Sequence, residues 1–193
     1  MDATLHIQPF FHDGTGTWTY VVHRGADAVV IDPVLDYDPK SGRIGTESVR
    51  AVQDYIAVNG LKLHRILETH AHADHLTSAQ VLHAATAAPV GIGAGIRQVQ
   101  AHFANVFDIA ADDPALTHAF DTTFEDGDVI EAGALRFEVM ATPGHTSDSL
   151  SYAIDGHVFI GDTLFAPDIG TARCDFPGGS IEALYASIQR FYS

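Results

Sequence analysis

An α/β fold of two mixed sheets with helices outside them is what the order of apolar segments predicts. Three observations carry this expectation. Two apolar runs near the start, residues 17–22 and 28–31, are joined by a turn at Gly25-Ala26-Asp27. That turn is too short for a crossover, so the chain opens on an antiparallel hairpin rather than a βαβ unit. The middle of the chain alternates helical spacing with short apolar runs, and from Phe124 onward the pattern is a strand meander closed by one helix.

Each element has its own signal. Residues 5–11 alternate loosely and fit an edge strand. Trp18, Tyr20, Val21 and Val22 give 17–22 the aromatic and β-branched content of a strand. Residues 28–31 are continuously apolar and stop at Asp32-Pro33, as a buried strand does. The Pro-, Asp- and Gly-rich stretch 32–45 reads as a loop. Thr46 is placed as a helix N-cap, with Val49, Val52, Tyr55 and Ile56 on one face and Asn59-Gly60 as the stop. Residues 63–67 form the next buried strand, and helical spacing returns over 74–87 through Leu76, Ala79, Val81, Leu82 and Ala85. A strand at 90–92, a helix at 95–107 and an acidic loop at 110–121 follow. Strands are expected at 129–130, 135–141, 149–154 and 157–160, with tight turns at Ala132-Gly133 and Asp155-Gly156. Ser180 caps a last helix reaching Tyr192. No short repeat, low-complexity tract or linker is visible, so 1–193 is read as a single domain.

With 193 residues, 46% hydrophobic and 18% charged, the chain is long enough for one full core. No window is apolar enough to cross a bilayer, and no basic-then-apolar leader opens the chain, so no membrane partner is expected. Cys174 is the single cysteine, which rules out an internal disulfide and makes a reducing, cytoplasmic setting the default expectation. Ten basic residues against 25 acidic ones, a formal charge of −15, argue against a nucleic-acid partner. The 12 histidines are the compositional oddity, and only their placement is informative.

That placement centres on Glu68-Thr69-His70-Ala71-His72-Ala73-Asp74-His75-Leu76-Thr77, directly after the strand at 63–67. Three imidazoles and a carboxylate at a strand end cannot all be packed away, because an unpaired buried ring nitrogen or charge is costly. A metal satisfies several at once. Two further strand ends supply candidates: Thr142-Pro143-Gly144-His145-Thr146 after 135–141, and Gly161-Asp162-Thr163 after 157–160. Each alone reads as a turn with a surface polar residue. Together, in this order, they point to a metal site gathered from strand termini, where open sheets collect ligands.

The run His70-x-His72-x-Asp74-His75, then His145, then Asp162, resembles the motif of the metallo-β-lactamase superfamily, and the likeness extends over 17–191. It implies an αββα four-layer sandwich. Ala73-Asp74-His75-Leu76-Thr77 and Arg173-Cys174-Asp175-Phe176 resemble the persulfide dioxygenase (sulfur dioxygenase) branch and the related β-lactamase-hydrolase-like proteins. Glyoxalase II enzymes are the hydrolytic relatives; their motif continues with Gly-Gly where this chain has Thr77-Ser78.

Carried over residue by residue, the resemblance implies two arrangements. In dinuclear hydrolases, His70, His72, His145 and Asp162 match the first metal site, and Asp74 and His75 match part of the second, with Asp162 bridging. In the dioxygenase branch, one Fe(II) per chain is held by His70, His145 and Asp162, a set that chemistry associates with non-haem iron oxygenases. His72, Asp74 and His75 would then hydrogen-bond waters or ligand rings. The expected substrates are O2 and a thiol persulfide of the glutathione type, and the product is sulfite. Arg173 is a candidate for gripping a substrate carboxylate, or else a structural partner of Asp175 or Asp168. Asp32 either buttresses a ligand histidine or makes a turn. Cys174 is taken as a bystander.

One departure matters. The hydrolases complete their second site with a later histidine, and no histidine follows His157 here. The fold is therefore expected to be short of its C-terminal strand and helix, which weakens a two-metal hydrolase more than a one-iron oxygenase. A bare sheet edge would favour a homodimer. Three functions stay open: an Fe(II) persulfide dioxygenase; a thioester or lactam hydrolase using one or two Zn(II), in which metal-bound hydroxide attacks the carbonyl and Asp74 orients it; and a metal-binding protein inactive through truncation.

Overall fold

The computed structural model describes residues 4–110 and 112–192, and they fall into two compact units. The first takes residues up to 68, 72–91 and 131–136; the second takes 69–71, 92–130 and 137 onward.

In the first unit, strands β1 (Leu5–His12), β2 (Thr17–Arg24) and β3 (Asp27–Ile31) form an antiparallel ribbon with β1 at its edge. Residues 32–45 are more structured than their turn-rich composition suggests. They hold three two-residue strands, β4 (Val34–Leu35), β5 (Tyr37–Asp38) and β6 (Arg43–Ile44), with β5 paired to β6. Helix α1 (Glu47–Val58) follows, burying Val49, Val52 and Ile56. Thr46 stands at its N-cap but makes no side-chain capping bond. The Asp36 carboxylate does that work from the preceding loop, accepting from the Ser48 N–H at 2.9 Å and the Ser48 hydroxyl at 2.6 Å.

Strand β7 (Lys62–Leu67) then lies parallel to β3. Val29, Val30, Ile31, Ile66 and Leu67 are fully buried. The unbroken apolar run of β3 marks a strand covered on both faces, whereas β7 carries the half-buried His64 and Arg65 before its buried end. The expected helix over 74–87 is shorter in the structure. Residues Leu76–Thr77 form β8, antiparallel to β4, and helix α2 covers only Ala79–Thr86. The backbone of 76–78 is committed to that pairing and to a bond from Ser78 N–H to Pro33 O, 2.8 Å, so Leu76 stays exposed rather than joining the helix's apolar face. Strand β9 (Val90–Gly93) pairs in parallel with β7 through Val90 and Gly91.

In the second unit, β9 runs on into helix α3 (Ile96–Phe107). The acidic stretch after it contains a short helix, α4 (Pro114–Thr117), with Asp113 accepting from Ala115 N–H and proline at the first turn. Strand β10 (Thr122–Phe124) follows, its Phe124 carbonyl accepting from Ala94 N–H at 2.8 Å. Strands β11 (Val129–Ala132), β12 (Leu135–Ala141), β13 (Leu150–Ile154) and β14 (His157–Phe159) make the meander, and the tip between β11 and β12 belongs to the first unit. The β12–β13–β14 pairings are antiparallel, so mixed strand directions belong to the other sheet. Leu135, Phe137 and Val139 are buried while Arg136 and Glu138 are exposed, the alternation of a strand with one covered face. A 3₁₀ turn at Gly161–Thr163 follows β14. Helix α5 (Ile181–Arg190) is capped by Ser180, which accepts from Ala183 N–H, and it buries Leu184 and Ser187. Among the described residues no helix is long and apolar enough to cross a membrane.

Candidate metal centre

Three strand ends meet in the second unit. His70 follows β7, His145 follows β12, and Asp162 sits in the turn after β14. Their ligand atoms lie within 4.8 Å of one another. His70 Nε2 is 3.8 Å and His145 Nε2 is 3.6 Å from the same oxygen, Asp162 Oδ2. The two rings stand edge to face, 5.1 Å apart.

The proton on the His145 ring can be placed. His145 Nδ1 is 2.7 Å from the Arg173 carbonyl, which only accepts, so Nδ1 carries the hydrogen and Nε2 carries a lone pair. That lone pair faces a carboxylate oxygen too far away for a hydrogen bond. Two electron-rich atoms so placed repel unless a cation lies between them. His70 Nδ1 lies 3.0 Å from the Thr69 hydroxyl, a group that can donate or accept. Two imidazole nitrogens and one carboxylate converging in this way fit a divalent cation.

The surroundings fix the three tips. A Cβ on Gly161, which has φ +49°, would collide with Thr69, so only glycine lets the Asp162 turn come this close to His70. Ser187 of α5 donates to Pro143 O at 2.8 Å, and Ser180 N–H donates to Gly144 O at 2.9 Å, which together hold the turn before His145. Phe176 packs edge-on against the His145 ring.

His72, Asp74 and His75 form a separate grouping, in the first unit. His72 Nε2 lies 3.1 Å from Asp32 Oδ1 and 3.2 Å from Glu68 Oε2. Carboxylates only accept, so this nitrogen carries a proton shared between the two. Glu68 is 1% exposed and Asp32 5%. Burial opposes charge on the His72 ring, but the charge of Asp32 and the bonds to both acids outweigh it and hold its pKa well above the ordinary histidine range. Burial also pushes the Glu68 carboxyl up, against the pull of His72. The Thr77 hydroxyl donates to the other Glu68 oxygen. Asp32 thus buttresses a motif histidine, and it does so from a left-handed backbone, φ +49°, that few residues other than glycine adopt.

His75 Nδ1 is 3.2 Å from Asp74 Oδ2, and that bond holds the Asp74 carboxyl far below its usual range. The His75 side chain is 1% exposed, and among the described residues its Nε2 has no hydrogen-bond partner. The Thr17 hydroxyl lies 3.5 Å from both Asp74 Oδ2 and His75 Nδ1.

Arg173 contributes its carbonyl to His145. Its guanidinium is exposed, bidentate with Asp175, and 5.1 Å from the centre of the Phe176 ring. Burial, and then Asp175, push the Cys174 thiol up, which leaves it a poor nucleophile. Glu68 and Thr77 lie in the motif stretch, but their spacing carries no sign of their bonds to each other and to His72.

Comparison with known proteins identifies the family and the fold. The model of the metallo-beta-lactamase superfamily matches residues 12–193. A beta-lactamase hydrolase-like protein of Xylella fastidiosa is 41% identical over 195 residues, covering 98% of this chain but 44% of the relative, so the chain spans less than half of that protein's length. The human mitochondrial persulfide dioxygenase ETHE1 is 28% identical, across 96% of this chain and 62% of its own. The crystal structure of ETHE1 from Myxococcus xanthus superposes with a TM-score of 0.74 at 32% identity, over 96% of this chain and 68% of that one. From the family match and the shared fold together, this chain belongs to the metallo-beta-lactamase superfamily.

Proposed function

We propose that this chain is a mononuclear iron persulfide dioxygenase domain, with His70, His145 and Asp162 as the ligands of one Fe(II). One observation carries this reading: His72 is turned to Asp32 and Glu68, which leaves two histidines and one carboxylate as a group of their own. That donor set leaves coordination positions free for substrates. The likeness to proteins named persulfide dioxygenase supports it. Iron held there would supply the redox chemistry between a persulfide and O2. Overall, one persulfide, one O2 and one water give one thiol, one sulfite and two protons.

The chain's own residues have the following parts. The Arg173 carbonyl fixes the His145 ring so that Nε2 points at Asp162. The Asp32–His72–Glu68 cluster holds the motif loop in shape. Arg173, whose guanidinium is already forked onto a carboxylate, is assigned to a carboxylate of a glutathione-type carrier by exchange of Asp175. The test is oxygen uptake with glutathione persulfide. Protein carrying one iron per chain is expected to consume O2 and release sulfite, while iron-loaded protein that consumes none overturns the reading.

A second reading rests on His75. Its Nε2 is buried and, among the described residues, without a partner, beside Asp74, as a second cation ligand would be. A thioester hydrolase with two zinc ions would use it. Two zinc ions per chain, with thioester cleavage and no oxygen uptake, would establish that reading in place of the first.

A further inference from the structure

The backbone on both sides of His70 is tied to the segment that carries His145. Thr69 O accepts from Leu150 N–H at 2.8 Å, and Ala71 N–H donates to Asp148 Oδ2 at 2.8 Å. Leu150 opens β13, and Asp148 lies three residues after His145. The residue before His70 and the residue after it are therefore both held by one short run, 148–150. Asp148 is only 2% exposed. Among the described residues its Oδ1 meets no donor, so the side chain's hydrogen bonding is directed entirely at Ala71. Its backbone cannot drift, because Gly95 lies directly on it: a Cβ there would fall 2.8 Å from Asp148 Cα and 2.7 Å from Ser147 O.

We infer that Asp148 is a positioning residue, a carboxylate splint that sets the His70 tip against the His145 tip at the distance a cation needs. The inference rests on reading His70, His145 and Asp162 as a cation site, not on which reaction that cation serves. A buried carboxylate with one bond is an expensive residue to keep for packing alone. A backbone N–H beside a ligand is a place where a small shift changes the ligand's aim. Outer partners of metal ligands alter affinity by about 10–100-fold when removed.

The experiment uses Co(II), whose absorption bands report ligand geometry, titrated into the metal-free full chain. Asp148→Ala is expected to weaken Co(II) affinity about 10–100-fold and to change the band pattern. Asp148→Asn, which keeps an acceptor for Ala71 N–H, is expected to stay within a few-fold of the unmodified protein with the same bands. Should Asp148→Ala fail to fold, Asp148→Leu, similar in shape and without an acceptor, replaces it. Thermal melting of the metal-free variants is read alongside. Unchanged Co(II) affinity in Asp148→Ala, even with a lowered melting temperature, overturns the inference. So does an Asn variant as weak as the Ala variant. Unmodified protein that takes up no Co(II) removes the site itself and the inference with it. An absence of oxygen uptake with persulfide sinks only the proposed reaction and leaves this result standing.

Discussion

Two histidine–carboxylate clusters grow from neighbouring positions in the chain, and they are opposite in electrical character. In the Asp32–His72–Glu68 cluster the nitrogen-to-oxygen distances are 3.1 and 3.2 Å, and a proton on His72 joins both acids. That cluster is complete as it stands. In the His70–His145–Asp162 group the corresponding distances are 3.8 and 3.6 Å, and the His145 lone pair faces a carboxylate. That group is one that a cation between its members would complete. The residue types are the same, and the difference lies in where the other ring nitrogen goes. His145 gives its Nδ1 hydrogen to a carbonyl and keeps Nε2 as an acceptor, whereas His72 has its Nε2 hydrogen claimed by two carboxylates. A histidine-rich motif is therefore not a list of ligands; the hydrogen-bond partners decide which rings are available.

The largest effect expected from this contrast is on cation retention. His145→Ala should lose Co(II) or Zn(II) during desalting, while His72→Ala should keep its affinity within about tenfold, as for a residue outside the ligand set. Equal loss from both changes would erase the distinction and favour the hydrolase arrangement, in which His72 is a ligand. Next comes stability of the metal-free protein. Glu68→Ala leaves His72 and Thr77 with a buried partner missing, at a cost of about 3 kcal/mol. For a chain of this size that lowers the melting temperature by roughly 6–12 °C. Asp162→Ala should lower the metal-free melting temperature by less than Glu68→Ala does, since the Asp162 side chain is a third exposed and Glu68 is buried. If Asp162→Ala proves as destabilising as Glu68→Ala, the two clusters are alike after all.

The His70–His145–Asp162 group was readable from strand-tip order, because each of the three follows an expected strand whose end is easy to see. The self-contained cluster was only half readable. Asp32 stands at a strand end and suggested either a buttress or a turn, but Glu68 directly follows a strand, and nothing in its spacing shows that it turns inward to share the His72 proton. Asp148 carries no sequence signal at all, because a hydrogen bond to a backbone N–H leaves no residue pattern. Over 74–87, Leu76 matched helical spacing by coincidence; backbone pairing between β4 and β8, invisible to side-chain periodicity, decided the outcome. In 32–45 the same cause operates: two-residue strands are set by pairing and not by composition. Legibility thus fell off where backbone bonds or buried acids, rather than apolar period, determine the structure.

The smallest effect expected sharpens the contrast by supplying an exposed reference. Asp126 pairs with Arg190 at 2.8 Å at the surface, and its Oδ1 also accepts from Ala141 N–H at 2.8 Å. The Arg190 bond, and then the Ala141 bond, hold the Asp126 carboxyl below its ordinary 3.8. A carboxyl depressed on folding adds stability that is fully present above its unfolded value. That stability drains away as pH falls through the lower, folded value. Because the pair is half exposed and screened, its worth is below about 1 kcal/mol. Asp126→Asn should therefore lower the melting temperature by no more than a few degrees at pH 7, with the gap to the unmodified protein closing below about pH 4. Raised salt should narrow the same gap at pH 7. Glu68→Ala, whose lost contacts are buried, should keep its deficit at high salt. A Glu68→Ala deficit that shrank with salt as the Asp126→Asn deficit does would mean that solvent reaches the Asp32–His72–Glu68 cluster, and its self-sufficiency would then need another explanation.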